Sequence, residues 1–423
     1  MKLYKILFLI TFVLLSKISK SQIVPLENKI YASTVHTVLL YSNISDYAFP
    51  VINLNSAEQF NLSFDELLAT NDNYYYTLIL CNADWKPVNM QPNEYLIGSA
   101  FESIDDHSFS LGTYQNYVHY SASFPTENMK IRYAGNYIVK VYRNFNEEDV
   151  ILTQRCFVMN KKANIGSKVH QAVSLDQRYT NQEVDIEVDV SNATIPSPYT
   201  DAKLSILQNG RFDNAITSLI PKYINGNMYN YDYEEGNLFY GGNEFRAFDV
   251  RNIHSVGQNV SNKTIDTAIH VQLRYDESRG AQQHLALTDY NGKFLIVNST
   301  GSAPNLLDYT YVTFTLNAFS SEGQNNLYVL GSFNQWQPSA NCKLEYNASR
   351  KIYQCTIFLK QGYYNYGYYA MNADGLLENT DTEGNHYETE NDYYIFFYQK
   401  NYSYNFDELI GYQKSNSGTM ERR

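Results

Sequence analysis

Residues 183–190 read EVDIEVDV, a strict alternation of acidic and aliphatic side chains. Successive side chains of a β-strand point to opposite faces, so this run predicts a strand with one buried and one acidic face. Short runs rich in β-branched and aromatic residues recur on both sides of it and predict further strands. They lie at residues 31–41, 74–80, 117–124, 136–142, 150–158, 203–207, 237–239, 245–250, 268–275, 294–297, 309–316, 361–368 and 393–398. We therefore expect an all-β protein built of tandem β-sandwich domains.

Two other local patterns interrupt the strands. The acidic stretch at residues 63–69 predicts a brief helical turn. The sequence YNGK at residues 290–293 predicts a hairpin turn, because Asn-Gly accepts two successive positive φ angles.

The domain organisation follows from composition. Residues 1–21 have a basic start, a short apolar run and small residues before position 22, which predicts a signal peptide and a mature chain from Gln22. The sequences KKAN at 161–164 and GSAPN at 301–305 indicate boundaries. We expect three β-sandwiches and then a flexible tail, at residues 22–160, 161–304, 305–412 and 413–423.

The charge of the chain excludes several classes of partner. Removing the four lysines of residues 1–21, which contain no acid, takes the net charge from −12 to −16. An acidic surface without basic clusters argues against nucleic acid and against anionic lipid. No later run reaches the length of an apolar membrane span, so we expect no direct membrane insertion. The 40 tyrosines reflect either codon bias or a broad aromatic contact surface.

No catalytic motif is present, and we expect neither enzyme activity nor a cofactor or metal. His386 and Glu388 share a strand face but supply too few ligands for a metal. Glu388 and Glu390 form a carboxylate pair of the kind glycoside hydrolysis uses, although a solvated strand edge explains them better.

Three aromatic or charged side chains attract separate attention. Trp85, in the sequence DWKP, either caps a core or anchors a partner, since Trp is a favoured interface residue. Trp336 either belongs to a core or stacks on sugar. Arg246 is expected in a buried or bridging ion pair with Glu244 or Asp249.

The even number of cysteines permits disulfides in an exported chain. Cys342 and Cys355 flank a predicted strand–turn–strand whose loop would place them opposite each other, so a bridge between them is expected. Cys81 and Cys156 are expected to be buried small hydrophobes.

Several sequence blocks, taken in order, resemble the plug protein family of the type IX secretion system of Bacteroidota. They are LCNADWKP at 80–87, EYL at 94–96, GNYIVKVY at 135–142, QNGRFDNA at 208–215, GGNEFRAFD at 241–249, KQGYYNY at 360–366 and EGNHYETENDY at 383–393. Residues 327–336, LYVLGSFNQW, resemble the opening strand of a glycogen-binding module. These resemblances imply immunoglobulin-like or early-set sandwiches.

The family resemblance also implies a function. Such proteins are periplasmic plugs that occlude the periplasmic opening of an outer-membrane β-barrel translocon, on the inner face of the outer membrane. For this role Trp85 is our first partner-binding candidate, followed by Tyr95. The alternative is a secreted carbohydrate-binding protein that uses its C-terminal domain.

Overall fold

The computed structural model describes residues 26–45, 47–68, 72–317 and 326–419. The predicted signal peptide and Gln22 lie outside these residues. The strands of the first domain are β1 (Lys29–Ile30), β2 (Val35–Ser42), β3 (Val51–Asn53), β4 (Phe60–Glu66), β5 (Tyr74–Cys81), β6 (Leu96–Gly98), β7 (Phe101–Ser103), β8 (Asp106–Phe109), β9 (Val118–Phe124), β10 (Met129–Ile131), β11 (Gly135–Arg143) and β12 (Asn146–Met159).

Two sheets of this domain pack face to face. One has the order β1-β12-β11-β5-β7, with β3 added parallel to β12, and the other has the order β2-β4-β9-β8. Their inner faces share one apolar core that includes Phe60, Leu78 and Val139. The helical turn predicted at residues 63–69 is wrong over its described part. The chain there continues β4, because Leu62 and Phe64 alternate into the core.

The remaining strands follow in chain order. They are β13 (Asn164–Gln171), β14 (Asn181–Asp189), β15 (Ala202–Gln208), β16 (Ile216–Leu219), β17 (Tyr223–Asn225), β18 (Met228–Asn230), β19 (Leu238–Tyr240), β20 (Arg246–Asp249), β21 (Val260–Ile265), β22 (Ile269–Leu273), β23 (Phe294–Ile296), β24 (Tyr309–Asn317), β25 (Asn326–Leu330), β26 (Glu345–Asn347), β27 (Ile352–Lys360), β28 (Gly362–Met371), β29 (Leu377–Glu378), β30 (Asp392–Asn401) and β31 (Phe406–Asn416). The all-β prediction is confirmed.

The second domain is discontinuous in sequence. One of its sheets has the order β13-β14-β18-β17, with β19 beside β14, and the other has the order β16-β15-β30-β31. The last two strands of the chain thus complete a domain that begins more than 200 residues earlier. In β14, Val184, Ile186 and Val188 are buried as the alternation predicts, but Glu183 is buried as well.

The third domain is inserted into the second. Strands β20, β28 and β23 form one sheet, which β25 and β29 extend, and the order β21-β22-β24-β27-β26 forms the other. The turn at residues 290–293 is confirmed, with φ of 52° at Asn291 and 78° at Gly292. It is not a hairpin turn, because only the strand after it exists.

These sheets change the domain limits that the sequence suggested. The expected boundary at residue 304 separates no sheets, because β20, β22 and β23 pair with strands beyond it. The tail expected from residue 413 is also different. Residues 413–416 pair with β30, and Ser417 donates its hydroxyl to the carbonyl oxygen of Thr389 at 2.9 Å. Cooperative ladder hydrogen bonds hold these polar residues although they add little to the core.

Helices contribute little to the fold. Short helices lie at Pro92–Tyr95, Pro198–Asp201 and Thr380–Glu383, and 3-10 turns at Pro304–Leu306, Ser332–Asn334, Ala340–Cys342 and Ser417–Thr419. Within the described ranges, no helix has the length and apolar character needed to cross a membrane.

Candidate functional site

Trp85 lies where the first domain meets the second. A tight loop between Asn82 and Lys86 holds it at a φ of 63°, and its half-buried ring packs edge-on against Phe157 and Phe212, with centroids 5.2 and 5.7 Å away. Phe157 belongs to the first domain and Phe212 follows β15 of the second. The indole therefore bridges two domains, and its role as a partner anchor stays a prediction.

Arg155 joins the same stack. Its guanidinium lies 4.4 Å from the ring centroid of Trp85 and 4.5 Å from that of Phe212. Such cation–π contacts strengthen when they are desolvated. Arg155 also donates from Nε and Nη2 to the carbonyl oxygen of Leu26, at 3.0 and 2.8 Å.

The prediction that Tyr95 binds a partner is wrong. Its side chain is only 4% exposed, and its hydroxyl donates to the carbonyl oxygen of Leu78 at 3.1 Å. Burial raises the pKa of Tyr95 to about 12. The short helix at Pro92–Tyr95 turns the ring inward, which its sequence neighbours do not reveal.

The cysteines are all free thiols. In the ladder between β26 and β27, Asn347 pairs with Ile352 and Glu345 with Gln354. Continuing that register would place Leu344, and not Cys342, across from Cys355. The expected disulfide is therefore absent, because the loop is centred one residue later than the sequence suggested. Cys81 and Cys156 are buried, as expected.

Trp336 is a core residue, only 6% exposed. The guanidinium of Arg211, from the second domain, covers it at 4.7 Å from the ring centroid and donates to the hydroxyl of Tyr369 at 3.1 Å. With the guanidinium over the ring and the side chain almost fully buried, Trp336 is not an exposed platform for a sugar chain. The resemblance to a glycogen-binding module stays a prediction, and the carbohydrate-binding alternative gains no support.

Arg246 forms the buried ion pair that was expected, but with other partners. It pairs with Asp276 at 2.9 Å and with Glu383 at 3.0 Å. The expected partners are engaged elsewhere, Glu244 by a histidine and Asp249 by a neighbouring arginine. Because β20 pairs with β28, its arginine faces side chains brought there by chain segments more than 25 residues away.

Three of the sequence blocks meet between the second and third domains. Asn209 Nδ2 donates to Asn391 Oδ1 at 2.7 Å, and Asn391 Nδ2 donates to the carbonyl oxygen of Gly241 at 2.9 Å. A Cβ at Gly241 would lie 2.0 Å from the carbonyl oxygen of His386, so only glycine fits. The blocks therefore fix an interdomain contact.

The sequence analysis did not predict a buried ion pair that joins the first and third domains. Asp65 of β4 and Lys360 of β27 form an ion pair at 2.5 Å, with side chains 1% and 0% exposed. Asp65 also accepts from the hydroxyl of Tyr309 at 2.6 Å and contacts His119 Nδ1 at 2.6 Å. Had residues 63–66 been predicted as a strand, Asp65 would have been placed on the face opposite Phe64. It would then have been a candidate for contact with another domain.

Catalytic and metal-binding groupings have structural explanations in the described residues. His170, Glu183 and Asp185 form a cluster. However, Nδ1 of His170 faces the carbonyl oxygen of Gln171 at 2.8 Å, and Nε2 faces Asp185 at 2.7 Å. The hydrogen bond to Asp185 raises the pKa of His170. A doubly donating imidazolium has no lone pair for a metal.

The other pairs behave similarly. His386 lies beside His284, with ring centroids 5.7 Å apart, while Glu388 is exposed. The strand faces expected for these pairs are wrong, because residues 386–390 form a turn and loop that precede β30. Glu390 is exposed in this loop and accepts from Asn416 Nδ2 at 2.9 Å.

The first domain carries an unusual exposed aromatic residue. Phe145 is 65% exposed at the tip of the β11–β12 hairpin, whose loop is Asn144 and Phe145, with φ of 52° and 58°. Such two-residue loops favour Asn-Gly, and a bulky side chain at positive φ is strained. The ring centroid of Phe145 lies 3.9 Å from that of Tyr75 and 5.8 Å from that of Phe101. We call Tyr75, Phe101 and Phe145 the aromatic tip.

Comparison with known proteins agrees with this architecture. Residues 35–160 match the family model described as the type 9 secretion system plug protein 1st domain. No curated protein matches the chain. A crystal structure of a hypothetical protein from Parabacteroides merdae ATCC 43184 is similar, with a TM-score of 0.88 and 29% sequence identity over 93% of this chain and 100% of that one. The first domain of the chain is therefore similar to the first domain of the type 9 secretion system plug proteins.

Proposed function

We propose that this protein occludes the periplasmic opening of the outer-membrane barrel translocon of type IX secretion, by protein–protein binding and without catalysis. The observation that carries the proposal is the match of residues 35–160 to the plug protein family. In this proposal the protein resides in the periplasm and is held at the inner face of the outer membrane by its partner.

The stiffness of the body supports this role. A stopper that must resist passage of a substrate cannot yield at its joints, and a pre-ordered surface loses less entropy on binding. The first and second domains share an apolar cluster in which Phe157 stacks on Phe396 at 4.2 Å and Phe49 on Tyr394 at 4.3 Å.

Polar contacts strengthen the same joint. Asp407 Oδ2 accepts from the backbone N–H of Ala83 at 3.0 Å and pairs with Lys203 at 2.9 Å, and the hydroxyl of Tyr398 donates to Asn136 Oδ1 at 2.9 Å. With the Asp65–Lys360 pair on the other side, the first domain is tied to both its neighbours.

The aromatic tip is the surface we assign to the barrel. It joins a strained, exposed Phe to two further rings, and strain of this kind is retained where it serves a function. Polar side chains lie at the foot of the same hairpin, where Arg143 pairs with Asp149 at 3.1 Å and with Asp72 at 3.6 Å. An aromatic centre with a polar rim is the usual form of a protein-binding hot spot.

The substitution Phe145→Gly tests whether the aromatic tip binds the barrel, because it should weaken binding without lowering stability. It converts the loop to Asn-Gly and relieves positive-φ strain of about 1–2 kcal/mol. It also removes ring contacts worth about 0.5–1.5 kcal/mol. We expect unchanged or slightly higher stability in urea unfolding together with weaker co-purification of the barrel from native envelopes. Leu376→Ala, at another exposed apolar side chain in the third domain, is the control and should leave both unchanged.

Occlusion itself is tested with the purified barrel in a planar bilayer. Addition of the protein to the periplasmic side should lower the ionic conductance of the open channel, and Phe145→Gly should require a higher concentration for the same block. Unchanged conductance with a co-purifying complex would show binding without plugging and would contradict the proposal.

A further inference from the structure

A cavity of about 160 Å³ lies where all three domains meet. The first domain contributes Gln154 and Arg155, the second contributes Phe212, and the third contributes Lys293 and Trp336. An engineered apolar cavity of about 150 Å³ is known to hold one benzene molecule. The space therefore suits one six-membered ring with a small substituent.

The charge of this cavity is opposite to that of the chain. Its ionisable lining residues other than tyrosine are Arg155 and Lys293, and no Asp or Glu lines it, although the chain carries a net charge of −12. Lys293 is paired with Asp392 at 3.2 Å and its side chain is 34% exposed, so this end of the cavity reaches the surface. Burial lowers the pKa of Arg155 to about 10, although the carboxylate of Glu27 attracts the guanidinium and offsets part of this effect.

The lining also contains hydrogen-bond donors without partners. Gln154 is only 6% exposed, and its Nε2 atom has no hydrogen-bond partner among the described residues. Ser332 Oγ and Gln335 Nε2, which line the same cavity, are buried and unpartnered in the same way. A buried polar group left unsatisfied costs free energy, which a ligand with acceptor oxygens would recover.

We propose that this junction cavity binds a small organic anion, a carboxylate carried on a single ring. The aromatic side chains around the cavity contact the ring, and the guanidinium of Arg155 and the amides of Gln154 and Gln335 receive the carboxylate. Because residues of all three domains line the cavity, bound ligand ties the domain junction together. The site is independent of the proposed plugging function.

Benzoate is the probe, and isothermal titration calorimetry with the full mature chain is the measurement. We expect saturable binding by benzoate and little or none by benzyl alcohol, which has the ring without the charge, or by inorganic phosphate, which has the charge without the ring. Binding should also raise the unfolding temperature in proportion to the logarithm of the benzoate concentration.

Two variants make the assignment falsifiable. Gln154→Met keeps the side-chain volume and removes the unpartnered amide, so it should be at least as stable as the natural chain while it binds benzoate more weakly. Arg155→Met removes the charge and should weaken benzoate binding about tenfold or more, since charge-assisted hydrogen bonds are the strong ones. Absence of saturable benzoate binding to the natural chain would overturn the proposal. Equal affinity for benzyl alcohol, or full affinity in both variants, would overturn it as well.

Discussion

The ion pair between Asp65 and Lys360 makes a quantitative prediction about the joint between the first and third domains. Both side chains are almost fully buried, and Lys360 Nζ has Asp65 Oδ2 as its hydrogen-bond acceptor. Removing one member of a buried pair leaves an uncompensated charge and costs about 3–5 kcal/mol. We expect Asp65→Asn to fall in this range, because the ammonium loses its counterion and keeps a neutral amide and the ring faces of Tyr117 and Tyr309, with centroids 4.2 and 5.7 Å away.

Removing the other member of the pair, Lys360, should lower the unfolding free energy by less. In Lys360→Met the carboxylate of Asp65 still accepts from the hydroxyl of Tyr309 and contacts His119. The double variant leaves no buried unpaired charge, so its loss of stability should be smaller than the sum of the two single losses by about 2 kcal/mol, within the range that contacting residues show.

Equilibrium unfolding in urea, followed by circular dichroism and tryptophan fluorescence, measures these differences in a double-mutant cycle. The exposed pair of Lys130 and Glu127, also in the first domain and 2.9 Å apart, is the matched control. Lys130→Met should leave the transition unchanged, because exposed pairs contribute little. Strictly additive losses of unfolding free energy at Asp65 and Lys360 would contradict the role of this buried ion pair. Single losses no larger than that of the control would contradict it as well.

Three further predictions concern the other joints and the thiols. Burial raises the pKa of Glu244 to about 7 from 4.5, so folding retains a proton that the unfolded chain loses, and stability falls as pH rises through that interval. Glu244→Gln should therefore stabilise the protein at pH values above the folded pKa and not below 4.5, which unfolding at several pH values will show. Trp85→Ala should destabilise by about 2–4 kcal/mol and speed proteolysis near the first domain boundary, whereas loss of barrel binding alone would indicate a contact anchor. Thiol labelling in denaturant without reductant should modify both Cys342 and Cys355, and a linked peptide in mass spectrometry would contradict this.

Much of the fold was predictable because its signals are local. Period-two alternation decides which face of a strand is buried whatever strand lies beside it, so β14 could be read directly. The Asn291-Gly292 turn could be read for the same reason, since positive φ is a property of the residues themselves. Errors arose where a charged sequence hid a strand, as in β4, whose buried Asp65 reads as a solvated turn.

The candidate site was less predictable, because its residues act across long distances in sequence. Sequence reasoning found Trp85 and the ion-pairing of Arg246 but could not name their partners. Phe145 was missed, although an Asn followed by a bulky residue between two strongly predicted strands was the available signal.

The sequence by itself determined an all-β chain, the similarity of its first domain to a known family and the turn at Asn291-Gly292, since each depends on neighbouring residues. Only the tertiary structure decided that β30 and β31 close the second domain around an inserted third, that Tyr95 lies in a core and that Cys342 is not opposite Cys355. Those outcomes depend on strand register and on buried pairing between distant segments such as Asp65 and Lys360. Buried charges and unpaired backbone groups cost free energy unless they find partners. The packing of the whole protein determines which distant segment supplies each partner, so the local sequence does not reveal it.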